Sequence, residues 1–194
     1  MQEQPIGTET GKLEFLNKRV CGAWMIWIGI VSLAGLLTGG TQLILMPVFS
    51  FGYAIGVFGI LNNKKAYRLL SYGPPTAFQN RMTLISIIAM LVMMVLIGGP
   101  HFQDENYRMI WLGAFLATGI HFVPMVWVHG RSMIIIAILL SVNALVGIMD
   151  DSISFHMLAY IDLVIKVVFG LYLMLWSKPS SMNIRRKTSA SNAT

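Results

Sequence analysis

The most constraining feature of this sequence is the run from Met157 to Trp176, twenty almost unbroken apolar residues. A helix of about 20 such residues is long enough to cross the hydrocarbon core of a bilayer. Two charged residues, Asp162 and Lys166, interrupt the run four positions apart. In a helix this spacing puts both on one face, with the acid first, which is the order that favours an ion pair. The run therefore predicts a membrane-spanning helix with an internal ion pair.

Composition favours lipid as the solvent of the whole chain. Of its 194 residues, 56% are hydrophobic and only 11% are charged, whereas soluble domains carry roughly 25% charged residues. The net charge of +6 could suggest nucleic acid, but the basic residues lie between apolar runs and follow no amphipathic face. We therefore expect no nucleic-acid partner. The single cysteine, Cys21, offers neither an internal disulfide nor a CxxC site.

Six apolar runs follow one another along the chain and predict an all-α fold, a bundle of six transmembrane helices. The first run is too long for the hydrophobic region of a signal peptide, so we interpret it as a retained helix. Residues 1–19 form a polar tail, and residues 177–194 form a basic tail that we expect to be disordered. The predicted spans are 20–38, 43–61, 82–99, 109–128, 133–149 and 157–176.

Lysine and arginine residues predict the orientation of the chain, because they concentrate in alternate connections between the apolar runs. One set of connections carries only Arg108, and Lys166 lies within a run. Excess basic charge marks the cytoplasmic side, so we expect both termini in the cytoplasm of a cell, a bacterial plasma membrane around the chain, and anionic lipids at the basic loops. The other set carries twelve of the fourteen basic residues: Lys12, Lys18, Arg19, Lys64, Lys65, Arg68, Arg81, Arg131, Lys178, Arg185, Arg186 and Lys187.

Two backbone features modify the predicted spans. Gly52 and Gly56 form a small-residue stripe that lets another helix approach closely, either within the chain or from a partner helix or a second copy. Pro124 in the fourth span removes a helical hydrogen bond from the carbonyl of Ile120. We therefore expect a kink or a bound water beside His121.

Four polar residues in the last three spans fall at related depths. At about 1.5 Å per residue, Asp162 and Asn143 lie about 8–9 Å below the outer ends of their spans, and Lys166 about 14 Å. His121 lies deeper, about 18 Å from its outer end. The sequence thus predicts a small polar cluster in which Asp162 and Lys166 meet Asn143, with His121 below.

This cluster has a functional and a structural interpretation. Ionisable residues inside a membrane normally face a bundle interior or a water-filled cavity and mark solute or proton sites. In that case the protein binds or moves a small solute or ion, with Asp162 and Lys166 as the coupling pair. Alternatively, the pair only neutralises itself, and the protein is a non-transporting accessory factor for immunity, regulation or assembly. Both interpretations stay open at this point.

The outer connections hold weak metal-ligand candidates. Oxygen and imidazole groups suit a divalent cation, but their spacing matches no metal motif, so we predict neither a metal nor a cofactor. The sequence also lacks HExxH, GxSxG and P-loop motifs, and we therefore expect no enzyme. The weak candidates are His101, Asp104, Glu105, Asp150, Asp151 and His156.

One segment of the fourth span carries a resemblance. The sequence from Gly119 to Pro124, a Gly-x-His-Phe-x-Pro pattern, is followed by Trp127 and by His-Gly-Arg-Ser at 129–132. It resembles a pattern in small uncharacterised bacterial six-span membrane proteins. The resemblance implies that His121 and Pro124 are shared features of these proteins, and it implies no activity.

Overall fold

The computed structural model describes residues 14–177, and this part of the chain is helical without any strand. A π-helical turn, Val57–Leu61, extends the second helix, and short 3-10 segments lie at Gly40–Gln42 and Gly99–Phe102. The predictions for residues 1–13 and 178–194 lie outside the described residues. The α-helices are α1 Lys18–Thr38, α2 Met46–Gly56, α3 Lys64–Leu70, α4 Ala77–Gly98, α5 Tyr107–His121, α6 Val126–His129, α7 Ser132–Met149 and α8 Phe155–Trp176.

The all-α prediction is confirmed, and four helical segments are long and apolar enough to cross a membrane. They are Lys18–Thr38, Ala77–Phe102, Ser132–Met149 and Phe155–Trp176. The second predicted span corresponds to a shorter apolar helix, Met46–Leu61. Helices of spanning length therefore account for four of the six predicted crossings.

The fourth predicted span, 109–128, is broken, which differs from the prediction of one continuous helix. α5 ends at His121, turns follow at 122–125, and α6 is a short separate helix. The Ile120 carbonyl accepts a hydrogen bond from the Val123 N–H at 3.0 Å. The His121 carbonyl accepts one from the buried Ser86 hydroxyl of α4 at 2.6 Å. Pro124 thus ends the helix, and a turn and a neighbouring helix satisfy the freed carbonyls.

Alternate connections meet at opposite ends of the bundle. The segment before α1 bonds to the segment before α4 and to the first turn of α4. The Tyr72 N–H donates to the Leu16 carbonyl at 3.0 Å, and Gln79 Nε2 donates to the Glu14 carbonyl at 2.9 Å. At the other end, Trp111 Nε1 donates to the Gln42 carbonyl at 3.1 Å. These contacts give the helices an alternating, antiparallel arrangement.

α1 and α8 form the most extensive helix pair, and glycines bring their backbones together. A Cβ at Gly22 would lie 2.5 Å from the Gly170 carbonyl oxygen, and a Cβ at Gly170 would lie 2.7 Å from that of Gly22. Further along, a Cβ at Gly29 would lie 2.9 Å from Cγ2 of Val167 and 3.8 Å from the Leu163 carbonyl oxygen. Only residues without a side chain permit such an approach.

The predicted stripe on α2 also packs within the chain. Cβ atoms at Gly52 and Gly56 would meet the side chains of Val31 and Trp27 of α1 at 2.5 and 2.3 Å. Trp27 Nε1 donates to the Gly52 carbonyl at 2.8 Å. In this structure α1 is therefore the helix that packs closely against Gly52 and Gly56 of α2.

Arg108 closes the end of the bundle where α7 stops. Its guanidinium donates to the carbonyls of Gly147, Asp150 and Ile153 at 2.8 to 3.0 Å, and its Nε lies 3.3 Å from Asp151 Oδ1. The last carbonyls of a helix have no partner of their own within it. Arg108, in the first turn of α5, thus holds the loop between α7 and α8.

We expect Arg108→Gln to lower the free energy of unfolding by about 2 kcal/mol, because charge-assisted hydrogen bonds to the loop carbonyls are lost. Thermal unfolding in detergent measures this change. Arg81→Gln, at an exposed position, is the control and should unfold like the parent. Equal unfolding temperatures for both variants would contradict a structural role for Arg108.

Candidate functional site

The two charged residues of α8 form a buried ion pair. Lys166 Nζ donates to Asp162 Oδ2 at 2.6 Å. Asp162 is 0% exposed and Lys166 is 4% exposed, so neither reaches the outer surface of the bundle. The spacing in the sequence predicts this contact because residues four apart are neighbours on a helix.

The pair is enclosed by apolar and aromatic groups. Lys166 Nζ lies 5.2 Å from the ring centroid of Phe115 on α5, within range of a cation–π interaction. Phe115 in turn stacks on Phe155 at a centroid distance of 5.9 Å. Charges in such a dry setting interact strongly and are costly to leave unpaired. The same cluster contains Leu36, Ile44, Trp111, Leu112, Ala144, Leu158 and Ala159.

The carboxylate of Asp162 is only partly satisfied. Its Oδ2 accepts from Lys166, but its Oδ1 is buried and has no hydrogen-bond partner in the described part of the chain. The hydroxyl of Ser32 on α1 is likewise buried without a partner there. Buried polar atoms are nearly always hydrogen-bonded, so each exception calls for an explanation. Sequence reasoning missed Ser32, because a lone serine in an apolar helix gives no signal.

Asn143 and His121 lie near the pair but are engaged elsewhere. Asn143 Nδ2 donates to the Leu158 carbonyl at 2.9 Å, one helical turn before Asp162. The His121 ring nitrogen Nδ1 bonds to the Thr118 carbonyl of its own helix. Within residues 14–177, neither side chain hydrogen-bonds to the ion pair. The geometry brings Asp162 and Lys166 together and leaves the other two as flanking groups.

The weak metal candidates do not converge. Within residues 14–177 no group of three or more His, Cys, Asp or Glu side chains could hold a metal ion. Asp151 pairs with Arg108 instead. The Asp150 carboxylate accepts hydrogen bonds from the Ser152 hydroxyl and N–H at 2.6 and 2.9 Å, and these hold the pKa of Asp150 below its usual value.

A buried histidine that the sequence did not single out lies just beyond the broken span. His129, at the end of α6, is 8% exposed, and its Nδ1 has no partner among the described residues.

Helices of membrane-spanning length, one of them with a buried ion pair, define an all-α membrane protein class for this chain. Residues 8–183 match the model of a family of unknown function (DUF6609), and the chain belongs to that family. Comparisons with curated proteins and with solved structures gave no match. The resemblance at residues 119–132 stays a prediction, and the roles of the site residues depend on geometry alone.

Proposed function

We propose that this protein crosses a cell membrane six times, with both termini in the cytoplasm. The hydrogen bonds from Tyr72 to Leu16 and from Gln79 to Glu14 support this topology. They bring together two parts of the chain that the basic residues assign to the same side of the membrane. The Met46–Leu61 helix has 16 residues, about 24 Å at the usual rise, so it crosses a slightly thinned bilayer. The broken segment α5–α6 is tolerated because the Val123 N–H and the Ser86 hydroxyl satisfy the carbonyls of Ile120 and His121.

Anionic lipids are the partner that the basic face fits best. Lys64, Lys65 and Arg68 are exposed on and beside α3, and Leu69 next to them is 77% exposed. A short helix with cations and an exposed leucine suits the headgroup boundary, where cations contact lipid phosphates and the leucine enters the acyl region.

Within this frame, the protein binds or moves a small solute or ion, with Asp162 and Lys166 as the coupling pair. One observation carries this proposal: Asp162 Oδ1 is wholly buried, and no other group in the described part of the chain bonds to it. A pair retained only for packing is expected to have all its oxygens satisfied, since an incomplete buried network costs stability. An unsatisfied carboxylate oxygen is instead available to a proton or solute. Asn143 and His121 flank the site as supporting polar groups.

The ion pair gives the site two states. With Asp162 ionised, the two charges cancel and Lys166 is held over Phe115 and Asp162. With Asp162 protonated, Lys166 keeps its charge but loses its charged partner. A proton arriving at Asp162 therefore changes the net charge of the site by one in a dry environment, where the effect on neighbouring groups is large.

Proton flux into proteoliposomes tests the proposal. Vesicles with the parent protein should dissipate an imposed pH gradient, followed by a trapped pH-sensitive dye, and Asp162→Asn should remove that flux while leaving the protein folded. Asp104→Asn, at an exposed carboxylate of an outer connection, is the matched control and should behave like the parent. Equal flux in the parent and in Asp162→Asn would refute the role of Asp162.

The alternative, an accessory membrane protein without transport, is favoured by one observation. Asn143 and His121 both direct their side chains to backbone carbonyls, as residues that fix helix packing do. On this proposal the ion pair sets only the register of α8. Stability measurements on the pair, described in the Discussion, separate it from the first proposal.

A further inference from the structure

Two buried side-chain oxygen atoms that have no hydrogen-bond partner among residues 14–177 lie on the two helices that pack together most extensively. They are Ser32 Oγ on α1 and Asp162 Oδ1 on α8. Ser32 is 6% exposed and Asp162 is 0% exposed. A serine in a helix commonly bonds to a carbonyl one turn back, but Ser32 does not. Both groups are thus free to bond in the same interface.

The helix register brings them to nearly the same height. Gly22 of α1 lies opposite Gly170 of α8, and Gly29 lies opposite Leu163. The two helices are therefore antiparallel, and a step of seven residues towards the C-terminus of α1 corresponds to seven residues towards the N-terminus of α8. Three positions beyond Gly29, Ser32 comes level with Tyr160. Asp162 is two positions away, about 3 Å along the helix axis.

Ser32 also lies on the face of α1 that contacts α8. Gly29 and Leu36 flank it on this face at helical spacing. A Cβ at Gly29 would touch Val167 of α8 at 2.9 Å, and Leu36 lies in one buried cluster with Leu158 and Ala159 of α8. Ser32 therefore lies between two contacts that bracket Asp162.

We propose that Ser32 is a further residue of the site, and that its hydroxyl accepts the hydrogen bond of Asp162 when a proton is bound at Oδ1. This inference rests on the proposed function of the ion pair. The ionised carboxylate already has a charged partner in Lys166. The protonated carboxyl presents an O–H donor at Oδ1, which needs an acceptor in a dry interior. Ser32 Oγ is the unpartnered side-chain oxygen on the facing helix.

The balance of the step is simple. One proton from the aqueous phase forms a bond to Asp162 Oδ1, Lys166 stays protonated, and the Ser32 hydroxyl turns its lone pair to the new O–H. Besides Asp162, α8 carries the titratable groups of Lys166, His156, Tyr160 and Tyr172. α1 carries those of Lys18, Arg19 and Cys21, and α5 those of Tyr107, Arg108 and His121, while α7 contributes the uncharged Asn143. Cys21 precedes Gly22 and is therefore about two turns of α8 away from Asp162, and His121 is bonded to Thr118.

Infrared spectroscopy of the full-length protein as a function of pH tests this inference. A protonated carboxylic acid gives a carbonyl stretching band. The band that is present in the parent protein and absent from Asp162→Asn belongs to Asp162. In Ser32→Ala we expect the titration midpoint, the pH at which this band has half its full intensity, to be lower by about one unit. A shift of this size corresponds to the free energy of one neutral hydrogen bond. Ser32→Thr keeps the hydroxyl and should restore the midpoint. Ser86→Ala, at a buried serine bonded to His121, should leave it unchanged.

The direction of the shift makes the test decisive. A midpoint that stays or moves to higher pH in Ser32→Ala would overturn the inference, since the hydroxyl would then be irrelevant or would donate to the ionised carboxylate. The proposed function would survive that result. If no protonated band disappears in Asp162→Asn, the carboxyl takes up no proton, and the coupling role of the pair fails together with the role of Ser32.

Discussion

Lys166→Met should lower the free energy of unfolding by about 3–5 kcal/mol, because it leaves Asp162 as a buried charge without a counterion. The double change Asp162→Leu with Lys166→Leu removes both charges and should recover most of that loss. Replacing a buried ion pair by apolar side chains is often neutral or stabilising. Thermal unfolding and the yield of monodisperse protein in detergent measure both effects.

An exposed ion pair in the same chain supplies the control. Asp151 pairs with Arg108, but its side chain is 86% exposed, so Asp151→Asn should leave stability unchanged. Equal losses in the single and double variants of the buried pair would mean that the two charges are not coupled. A double variant that folds like the parent but has lost proton flux would favour the coupling function over the accessory alternative.

The second large effect is expected at the crossing of α1 and α8. Gly22→Ala should lower the free energy of unfolding by about 3 kcal/mol, because its new Cβ would meet the Gly170 carbonyl oxygen and the helices would have to separate. A backbone oxygen cannot rotate away as a side chain can. Thermal unfolding in detergent measures the loss.

Gly59→Ala is the matched control, since a Cβ at Gly59 would meet nothing within 4 Å. Its stability should stay within about 0.5 kcal/mol of the parent. A Gly22→Ala protein that unfolds at the same temperature as Gly59→Ala would show that the backbone contact is not required.

The local features of this protein were predictable from its sequence, and the contacts between distant segments were not. Apolar length predicts the helices Lys18–Thr38 and Phe155–Trp176, and the spacing of Asp162 and Lys166 predicts their bond, because both depend on residues close together in sequence. The pairing of the first helix with the last does not follow from any local pattern. The sequence also placed Pro124 at a disruption without indicating that the helix would end there.

The candidate site shows the same division. Depth along a helix follows from residue number, so the sequence predicts similar heights for Asn143 and Asp162. The direction in which each side chain faces around its helix depends on which neighbours it packs against. Hence the bonds of Asn143 and His121 to backbone carbonyls and the contact of Lys166 with the ring of Phe115 appear only in three dimensions.

The pairing of α1 with α8 has a consequence for biosynthesis. The chain is made from its N-terminus, so α1 enters the bilayer long before its main partner exists. α8 must then enter with two charged residues, whose cost in lipid is relieved when they are covered by α1 and by Phe115 of α5. α1 therefore serves as the acceptor for α8, and this helix pair forms only after all the helices between them have been made.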